Sequence, residues 1–276
     1  MPLPITVFGS IVHDLISYTD RFPRPGESVR GKAFQQGAGG KGANQAVAAA
    51  LLGAKVKMIG KDGENSIVVV LGANTSMAAS TATQFEDAIK ESSILLCQAE
   101  IDGAATKEAF RVARRHGVRT FYNPAPGDPS LGKDILHYVD IVCTNENEAE
   151  FITGINSATV EKAKEAATAM LDMGPSIAIV TLGPLGCIVA EKGKAVEHIE
   201  ADKVKAVDST GAGDCFCGSL AALLAWGEPI ALTEAIRRAS RIATLSVLKK
   251  GTQASYSTHK QIVDGGHGEL VQSIGK

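Results

Sequence analysis

A chain of 276 residues with a formal net charge of −2 has the length of one large α/β domain or of two small ones. Its 45% hydrophobic and 21% charged content is typical of a globular protein with an ordinary core. The near-neutral charge gives no support for a nucleic-acid partner, and no apolar run is long enough to span a membrane. The N-terminus lacks a basic region followed by an apolar signal core, so we expect a cytoplasmic protein. A nuclear location is the alternative.

Apolar runs of strand length alternate with runs of helical periodicity along most of the chain. The strand-like segments, the last two of which suit a hairpin, are Ile5–Val12, Lys55–Ile59, Ser66–Leu71, Ile94–Gln98, Arg119–Tyr122, Tyr138–Cys143, Ser176–Thr181, Cys187–Ala190 and Ala195–Ile199. The predicted helices are Ala43–Leu52, Phe85–Lys90, Ala104–His116, Val160–Met173, Asp214–Ala225 and Leu232–Val247. This alternation predicts an α/β fold with a mostly parallel sheet covered by helices on both faces.

Two further segments are less regular. Ser28–Gln36 is interpreted as an edge strand or a flap, and the polar tail Thr258–Lys276 is expected to fray. We find no internal repeat and no domain boundary, so residues 1–276 are predicted to form a single domain. In a parallel sheet, ligands bind beyond the carboxyl ends of the strands. Polar residues that could serve there follow several predicted strands: Asp14, Glu100, Asn123, Asn145, Thr181 and Asp214.

The stretch DSTGAGD at 208–214 joins a short apolar run to an apolar helix. Small residues at a helix start let the backbone approach a ligand, and the free N–H groups there favour an anion. Gly211, Ala212 and Gly213 are therefore a candidate anion hole. A carboxylate beside it, Asp214, suits a base that takes the proton from a hydroxyl attacking a phosphoryl group. Asp is also a preferred N-cap, and the motif alone leaves that interpretation open.

The glycine cluster Gly37–Gly42 matches G-x-G-x-x-G, the lettering of a dinucleotide site. The preceding Lys32–Gln36 is not a buried strand, which argues against that site. The Walker pattern fails as well, because Gly42 stands where Ser or Thr is needed. There remain Lys41 and Asn44 at a helix start, which could hold sugar hydroxyls or an anion, or could belong to a tight turn only.

Asn145 and Glu148 are three residues apart at a predicted helix start. They could face one ligand, with Glu148 acting on a phosphate through Mg²⁺ and water. The same spacing also suits a helix cap with acidic first-turn residues.

Together these segments resemble the ribokinase family of carbohydrate kinases, within the wider PfkB group. The resemblance covers nearly the whole chain, and its motifs occur in the family's order: GGKGAN at 39–44, QAE at 98–100, NPAP at 123–126, TNENEAE at 144–150, TLGPLG at 181–186, DSTGAGD at 208–214 and KKGTQAS at 249–255. The resemblance implies a three-layer α/β sandwich with a small β-sheet lid through which the family usually dimerises.

The resemblance also implies ATP-dependent phosphorylation of ribose at its 5-hydroxyl, with Asp214 as the base and Gly211, Ala212 and Gly213 as the anion hole. Sugar contacts would come from Asp14, Gly40, Lys41, Gly42, Ala43, Asn44 and Glu100. The ATP site would be lined by Asn145, Thr181, Leu182, Gly183, Pro184, Leu185, Gly186, Gly213, Asp214 and Ser240. An activating K⁺ would be held near Asp208, Thr210, Ser246, Lys249, Gly251 and Ser255. Glu148 would act on Mg²⁺ indirectly.

One departure from the family concerns the lid, whose elements we place around 13–37 and 62–72. After the strand Lys55–Ile59, Gly60-Lys61 runs directly into Asp62, so that, compared with the family, a helix and part of the lid are absent between 61 and 62. The strand at Ser28–Gln36 would then lose a partner, and exclusion of water from the site would weaken. A lid-mediated homodimer is therefore doubtful. Three interpretations stay open: an active kinase for ribose, an impaired variant that only binds nucleotide, and a PfkB kinase for another sugar or nucleoside.

Overall fold

The computed structural model describes residues 3–64, 72–127, 133–226, 230–272 and residue 274. Within these ranges the strands are β1 Ile5–Phe8, β2 Ile11–Tyr18, β3 Ala33–Gly39, β4 Val56–Ile59, β5 Asp62–Glu64, β6 Ile94–Gln98, β7 Arg119–Asn123, β8 Ile141–Asn145, β9 Ile177–Thr181, β10 Cys187–Glu191 and β11 Glu197–Ile199. The helices are α1 Lys41–Leu51, α2 Ala79–Gln84, α3 Glu86–Lys90, α4 Gly103–Arg115, α5 Glu146–Thr153, α6 Val160–Asp172, α7 Ala212–Ala225, α8 Leu232–Ser246 and α9 His259–Asp264.

The central sheet has the strand order β11-β10-β9-β8-β7-β6-β1-β4. Strands β4, β1, β6, β7, β8 and β9 are parallel, and β10 runs antiparallel to both of its neighbours. Side chains of β6 alternate between two cores: Ile94 and Leu96 pack with α1, α7 and α8, whereas Leu95 and Cys97 pack with α4 and α6. The predicted mostly parallel α/β sandwich and its terminal hairpin are therefore confirmed.

A second, small sheet has the order β3-β2-β5 and corresponds to the expected lid. β2 pairs antiparallel with β3 along its whole length, from Val12 opposite Gly39 to Tyr18 opposite Ala33, and parallel with β5. The predicted edge strand thus begins at Ala33 rather than at residue 28, and it has β2 as a partner. Its other side is the edge of this sheet within the described residues, and Phe34 on it is exposed.

Two sequence-based expectations were wrong. The predicted strand Ile5–Val12 is two strands, because the chain leaves the central sheet after Phe8 and enters the lid at Ile11, which places Asp14 within β2. The tail does not fray over its described part. It forms α9 and buries four apolar side chains against the core, namely Ile262, Leu270, Val271 and Ile274. The predicted strand Ser66–Leu71 lies outside the described residues.

Candidate active site

The carboxyl ends of β6, β7, β8 and β9 lie side by side at one edge of the central sheet. Gln98 stands opposite Asn123 in the register, and Asn145 stands opposite Thr181. Parallel strands bring these polar residues to one edge although they are far apart in sequence. This edge of the sheet forms one side of the site that the sequence predicted.

The glycine loop lies between the lid and α1 and is anchored to the sheet by Glu100. Glu100 Oε2 accepts hydrogen bonds from Ser10 Oγ at 2.6 Å and from the backbone N–H of Lys41 at 2.7 Å. A Cβ on Gly42 would lie 2.6 Å from the backbone nitrogen of Ser10, so only glycine allows this approach. Glu100 therefore shapes the loop as well as facing the place where a sugar would bind.

Asp14 is carried to the same loop by the lid strand β2. A Cβ on Gly39 would lie 2.1 Å from Asp14 Oδ2, so the carboxylate covers the backbone just before the loop. Burial raises the pKa of Asp14, and the neighbouring His13 opposes that effect. The structure thus brings together the predicted sugar-binding residues from the lid, the loop and the end of β6.

Asp214 lies at the start of α7, and its carboxylate does not cap that helix. The N-cap is Gly211, which makes no side-chain cap. The Asp214 side chain is 5% exposed, and its two oxygens accept hydrogen bonds from α1 instead. Asn44 Nδ2 donates to Oδ2 at 3.0 Å, and Gln45 Nε2 donates to Oδ1 at 2.9 Å. The capping interpretation is excluded, and the carboxylate faces the glycine loop.

Gln45 and Gln98 were missed by sequence reasoning. Gln45 Nε2 also donates to Asn123 Oδ1 at 3.0 Å, and Gln98 Nε2 donates to Gln45 Oε1 at 2.6 Å. The available signal was a glutamine among the apolar, core-facing positions of α1, where an uncompensated polar group would be costly. These residues form a buried amide network behind Asp214.

Two free backbone donors mark the start of α7. Ala212 N–H donates to the carbonyl of Ser209 at 3.2 Å, and Cys215 N–H donates to the carbonyl of Gly211 at 2.9 Å. Among the described residues no acceptor is found for the backbone N–H groups of Gly213 and Asp214. With the positive end of the helix dipole, these two groups form an anion-binding position.

A cavity of about 350 Å³ extends from this position toward the end of β9 at Thr181. Its wall contains seven residues predicted for the nucleotide site or the anion hole: Thr181, Gly183, Pro184, Gly186, Ala212, Gly213 and Ser240. The loop Ala201–Val204 and the residues Phe216, Ala243 and Val247 complete much of the apolar lining. Such a mainly apolar cleft with a few polar groups is typical of a small-molecule site.

Other residues predicted for the nucleotide site lie outside that lining. Asn145 and Glu148 form a capping box, in which each side chain bonds the other residue's backbone N–H. Burial raises the pKa of Glu148, against the opposing effects of the Asn145 N–H and of Lys41. Leu182 is buried in the core, and Leu185 is exposed. The helix-cap interpretation of Asn145 and Glu148 is thus the one that the geometry fits.

Lys41 brings a positive charge to the space between these groups. Burial lowers the pKa of Lys41, but the carboxylates of Asp214, Glu100 and Glu148 together outweigh that effect, and the net pKa is raised. The ammonium group is therefore charged at neutral pH. It partly balances three acidic groups in a site of low solvent exposure.

The two loops predicted to hold potassium are joined by Asp208. Its Oδ2 accepts from the Gly251 N–H at 2.9 Å, and its Oδ1 accepts from the Thr210 N–H at 3.0 Å. Ser246 ends α8 beside Lys249, whose N–H donates to the Ser246 carbonyl at 3.2 Å. These contacts bring 206–210 and 246–255 together, and both segments carry backbone carbonyls of the kind that bind K⁺.

Substitution of Asp208 by Asn should change the acid stability of the protein. Hydrogen bonds from Gly251 and then Thr210 hold the pKa of Asp208 below its ordinary value. A lowered pKa adds stability above that ordinary value, and this stability is lost as the pH falls through the folded-state pKa. The carboxylate is only partly buried, so we expect D208N to cost ~1 kcal/mol at pH 7.

Calorimetric melting temperatures between pH 2.5 and 7 should therefore show a smaller acid-induced decrease in D208N than in the parent protein. Identical pH dependence in the two proteins would show that the hydrogen bonds from Gly251 and Thr210 do not favour the ionised carboxylate of Asp208.

No helix among the described residues is long and apolar enough to cross a membrane. In the same part of the chain, no cluster of three or more His, Cys, Asp or Glu side chains has the arrangement of a metal site.

Comparison with known sequences and structures places this site in a family. The sequence profile described as "pfkB family carbohydrate kinase" matches residues 4–63 and 59–259. The ribokinase of Mus musculus is 36% identical over 94% of this chain and 93% of its own length. The deoxyribokinase of Salmonella typhi is 31% identical over 94% and 97%, respectively. The solved structure of Arabidopsis thaliana ribokinase complexed with ribose and ATP superposes with a TM-score of 0.86, at 24% identity and 99% coverage of both chains.

These matches define the class of the protein, an ATP-dependent sugar kinase. The chain belongs to the pfkB family of carbohydrate kinases.

Proposed function

We propose that the protein phosphorylates D-ribose at O5, with ATP as the phosphoryl donor. One contact carries this proposal: the 3.0 Å hydrogen bond between Asn44, in the first turn of α1 after the glycine loop, and the Asp214 carboxylate at the start of α7. It joins the place predicted for the sugar to the place predicted for the moving phosphate. The similarity to the mouse ribokinase supports the choice of ribose.

Asp214 acts as the general base in this proposal. Its carboxylate is buried, and the Lys41 ammonium group partly balances the acidic groups of the site. The carboxylate accepts two hydrogen bonds, which leave lone pairs for a sugar hydroxyl. As the hydroxyl oxygen attacks the phosphorus atom, the proton passes to Asp214. The bond from phosphorus to the leaving diphosphate oxygen then breaks, as in other phosphoryl transfers.

Charge that develops on the transferred group is stabilised by the start of α7. The backbone N–H groups of Gly213 and Asp214 point from a helix N-terminus, and the Lys41 ammonium group lies close to the same carboxylates. Preorganised donors of this kind cost little rearrangement at the moment of reaction, and they make up much of the catalysis of phosphoryl transfer.

ATP would occupy the 350 Å³ cavity, with its phosphates toward Gly213 and its base toward Ser240. Mg²⁺ supplies further neutralisation of the phosphate charge when it is bound. The Glu148 carboxylate is already engaged by Asn145, so its fit to Mg²⁺ is through water rather than by direct ligation. K⁺ fits the carbonyl-rich loops that Asp208 joins, and in our proposal it orders the loop after α8.

The choice between ribose and 2-deoxyribose depends on contacts to the sugar 2-hydroxyl. A relative named deoxyribokinase is almost as similar to this chain as one named ribokinase. Asp14, Asn44 and Glu100 offer acceptors and donors for several hydroxyl groups. We place ribose first because buried groups left without a hydroxyl partner would penalise the deoxy sugar.

The shortened lid forms part of this proposal. The alignment with the mouse protein runs over 300 positions, more than the 276 residues of this chain, and the two family matches meet at 59–63. Both observations support a missing segment after residue 61. We propose a more open sugar site as its consequence. The cytoplasmic location and the weakened basis for a lid-mediated dimer stay predictions.

The direct experiment measures release of ADP from MgATP with and without sugar, in potassium buffer. We expect turnover with ribose and a lower kcat/KM with 2-deoxyribose, fructose and adenosine. Absence of any sugar-dependent turnover at high protein concentration, with ATP binding retained in calorimetry, would contradict the proposal and favour a nucleotide-binding variant.

A further inference from the structure

The amide network behind Asp214 has a direction that its hydrogen bonds determine. At its far end, Asn123 Nδ2 donates to the backbone carbonyl of Cys143 at 2.9 Å. A carbonyl oxygen can only accept, so this contact fixes which way the Asn123 amide faces. Its oxygen therefore points at Gln45 and requires a donor there.

Gln45 meets that requirement with the same nitrogen that serves Asp214. One Nε2 hydrogen goes to Asn123 Oδ1 at 3.0 Å and the other to Asp214 Oδ1 at 2.9 Å. Both donors of the amide are thereby used, and both acceptors are groups that cannot donate in return. The amide of Gln45 is held in one orientation, with its oxygen turned away from the carboxylate.

Gln98 occupies the position behind that oxygen. Gln98 Nε2 donates to Gln45 Oε1 at 2.6 Å, and both glutamine side chains are 0% exposed. Among the described residues, Gln98 Oε1 is buried with no hydrogen-bond partner. Rotation of the Gln98 amide by half a turn would place two oxygens against each other. The network thus leaves one oxygen unpaired at its end, and the Gln45 amide keeps the orientation in which one of its N–H groups donates to Asp214.

A second branch reaches the other oxygen of the carboxylate in the same way. Gln253 Nε2 donates to Asn44 Oδ1 at 2.9 Å, and Asn44 Nδ2 donates to Asp214 Oδ2 at 3.0 Å. Asn44 lies in the first turn of α1, directly after the glycine loop, where it can exchange this contact for one to a sugar hydroxyl. Gln45 is the next residue of α1, and its side chain is fully buried.

We propose that Gln45, oriented by Gln98, is a positioning residue that holds the Asp214 carboxylate in the rotamer from which it accepts the sugar proton. The inference rests on the proposed function, because it assigns a role to the base of that reaction. A carboxylate with one donor removed can rotate, and a displacement of about 1 Å can cost about 10²-fold in rate.

The test uses Gln45→Met and Gln98→Met, which keep the length of each side chain and remove the amide. For Q45M we expect kcat to fall about 10²-fold, with the KM for ATP unchanged. Q98M should lose less. In the double variant the loss should equal that of Q45M alone, because Gln98 acts only through Gln45. Thr106→Val is the control: it removes a buried hydroxyl of α4 that donates to the Asp102 carbonyl, and it should keep full kcat.

A crystal structure of Q45M supplies a readout that needs no turnover, and we expect the Asp214 carboxylate to have rotated from its position in the parent protein. Full kcat with an unmoved carboxylate would overturn the proposal, as would additive losses in the double variant. If the carboxylate has rotated in Q45M but the parent protein turns over no sugar, the positioning role is supported and the proposed function is contradicted. Q98M provides the same comparison if Q45M does not fold.

Discussion

Replacement of Asp214 by Asn is expected to lower kcat for ribose by about 10³-fold, within the range that general bases contribute. Asparagine keeps the shape of the side chain but cannot accept the hydroxyl proton. Its NH₂ group would also face the amide nitrogen of Asn44 or Gln45, where the carboxylate now accepts from both. Ribose-dependent ADP release measures the loss, and calorimetric titration with ATP shows whether the nucleotide site is intact.

Asp102 provides a matched control, because it is an aspartate that does cap a helix. Its Oδ1 accepts from the backbone N–H groups of Ala104 and Ala105 at the start of α4. Asparagine is as good a cap as aspartate, so D102N should keep both kcat and the melting temperature. A D214N protein with kcat within threefold of the parent would show that the carboxylate is not the base.

Much of the fold could be predicted from the chain because strand and helix periods alternate cleanly. The strand Ile94–Gln98 and the helix start at Val160 were located to the residue. The division between β1 and β2 could not be seen, because the run from Ile5 to Val12 is apolar on both sides of Gly9. That division reflects tertiary contact: a Cβ on Gly9 would lie 2.1 Å from Gln98 Oε1. Periodicity carries no information about such approaches.

The site was predicted in its parts rather than in its connections. The glycine loop and the helix start at 208–214 are recognisable from local chemistry. Their contact, between Asn44 and Asp214, spans 170 residues and depends on the order of strands in the sheet. The resemblance to a family supplied that pairing. It also suggested ligand roles for Asn145 and Glu148, whose side chains the structure commits to a helix cap.

Polar residues inside apolar helices were the least predictable part of the site. Gln45 stands in the run Ala43–Leu52 where a single glutamine barely changes the apolar pattern. Its role in the site depends on three hydrogen-bond partners on α7, β6 and β7, and none of them is near it in sequence. Only a packed structure shows whether such a residue is satisfied.

Gly211→Ala is expected to lower kcat by about 10²–10³-fold, the range found when an oxyanion donor is lost. Gly211 is the N-cap of α7, with φ +76°, a conformation that disfavours any side chain. An added Cβ would lie 2.3 Å from Thr252 Cγ2 and 2.7 Å from the Tyr256 hydroxyl. That hydroxyl donates to the Gly211 carbonyl at 2.9 Å, so the clash displaces the helix start and its free N–H groups together.

Gly117→Ala separates this effect from backbone strain alone. Gly117 follows α4 with φ +69°, and a Cβ there would meet no atom within 4 Å. Both variants carry the cost of the left-handed conformation and should melt at lower temperature, but only G211A moves the anion-binding donors. We therefore expect G117A to keep the parental kcat and G211A to lose it while still binding adenosine, which our proposal places at the Ser240 end of the cavity. Equal kcat losses in the two glycine variants would show that the start of α7 is not the anion site.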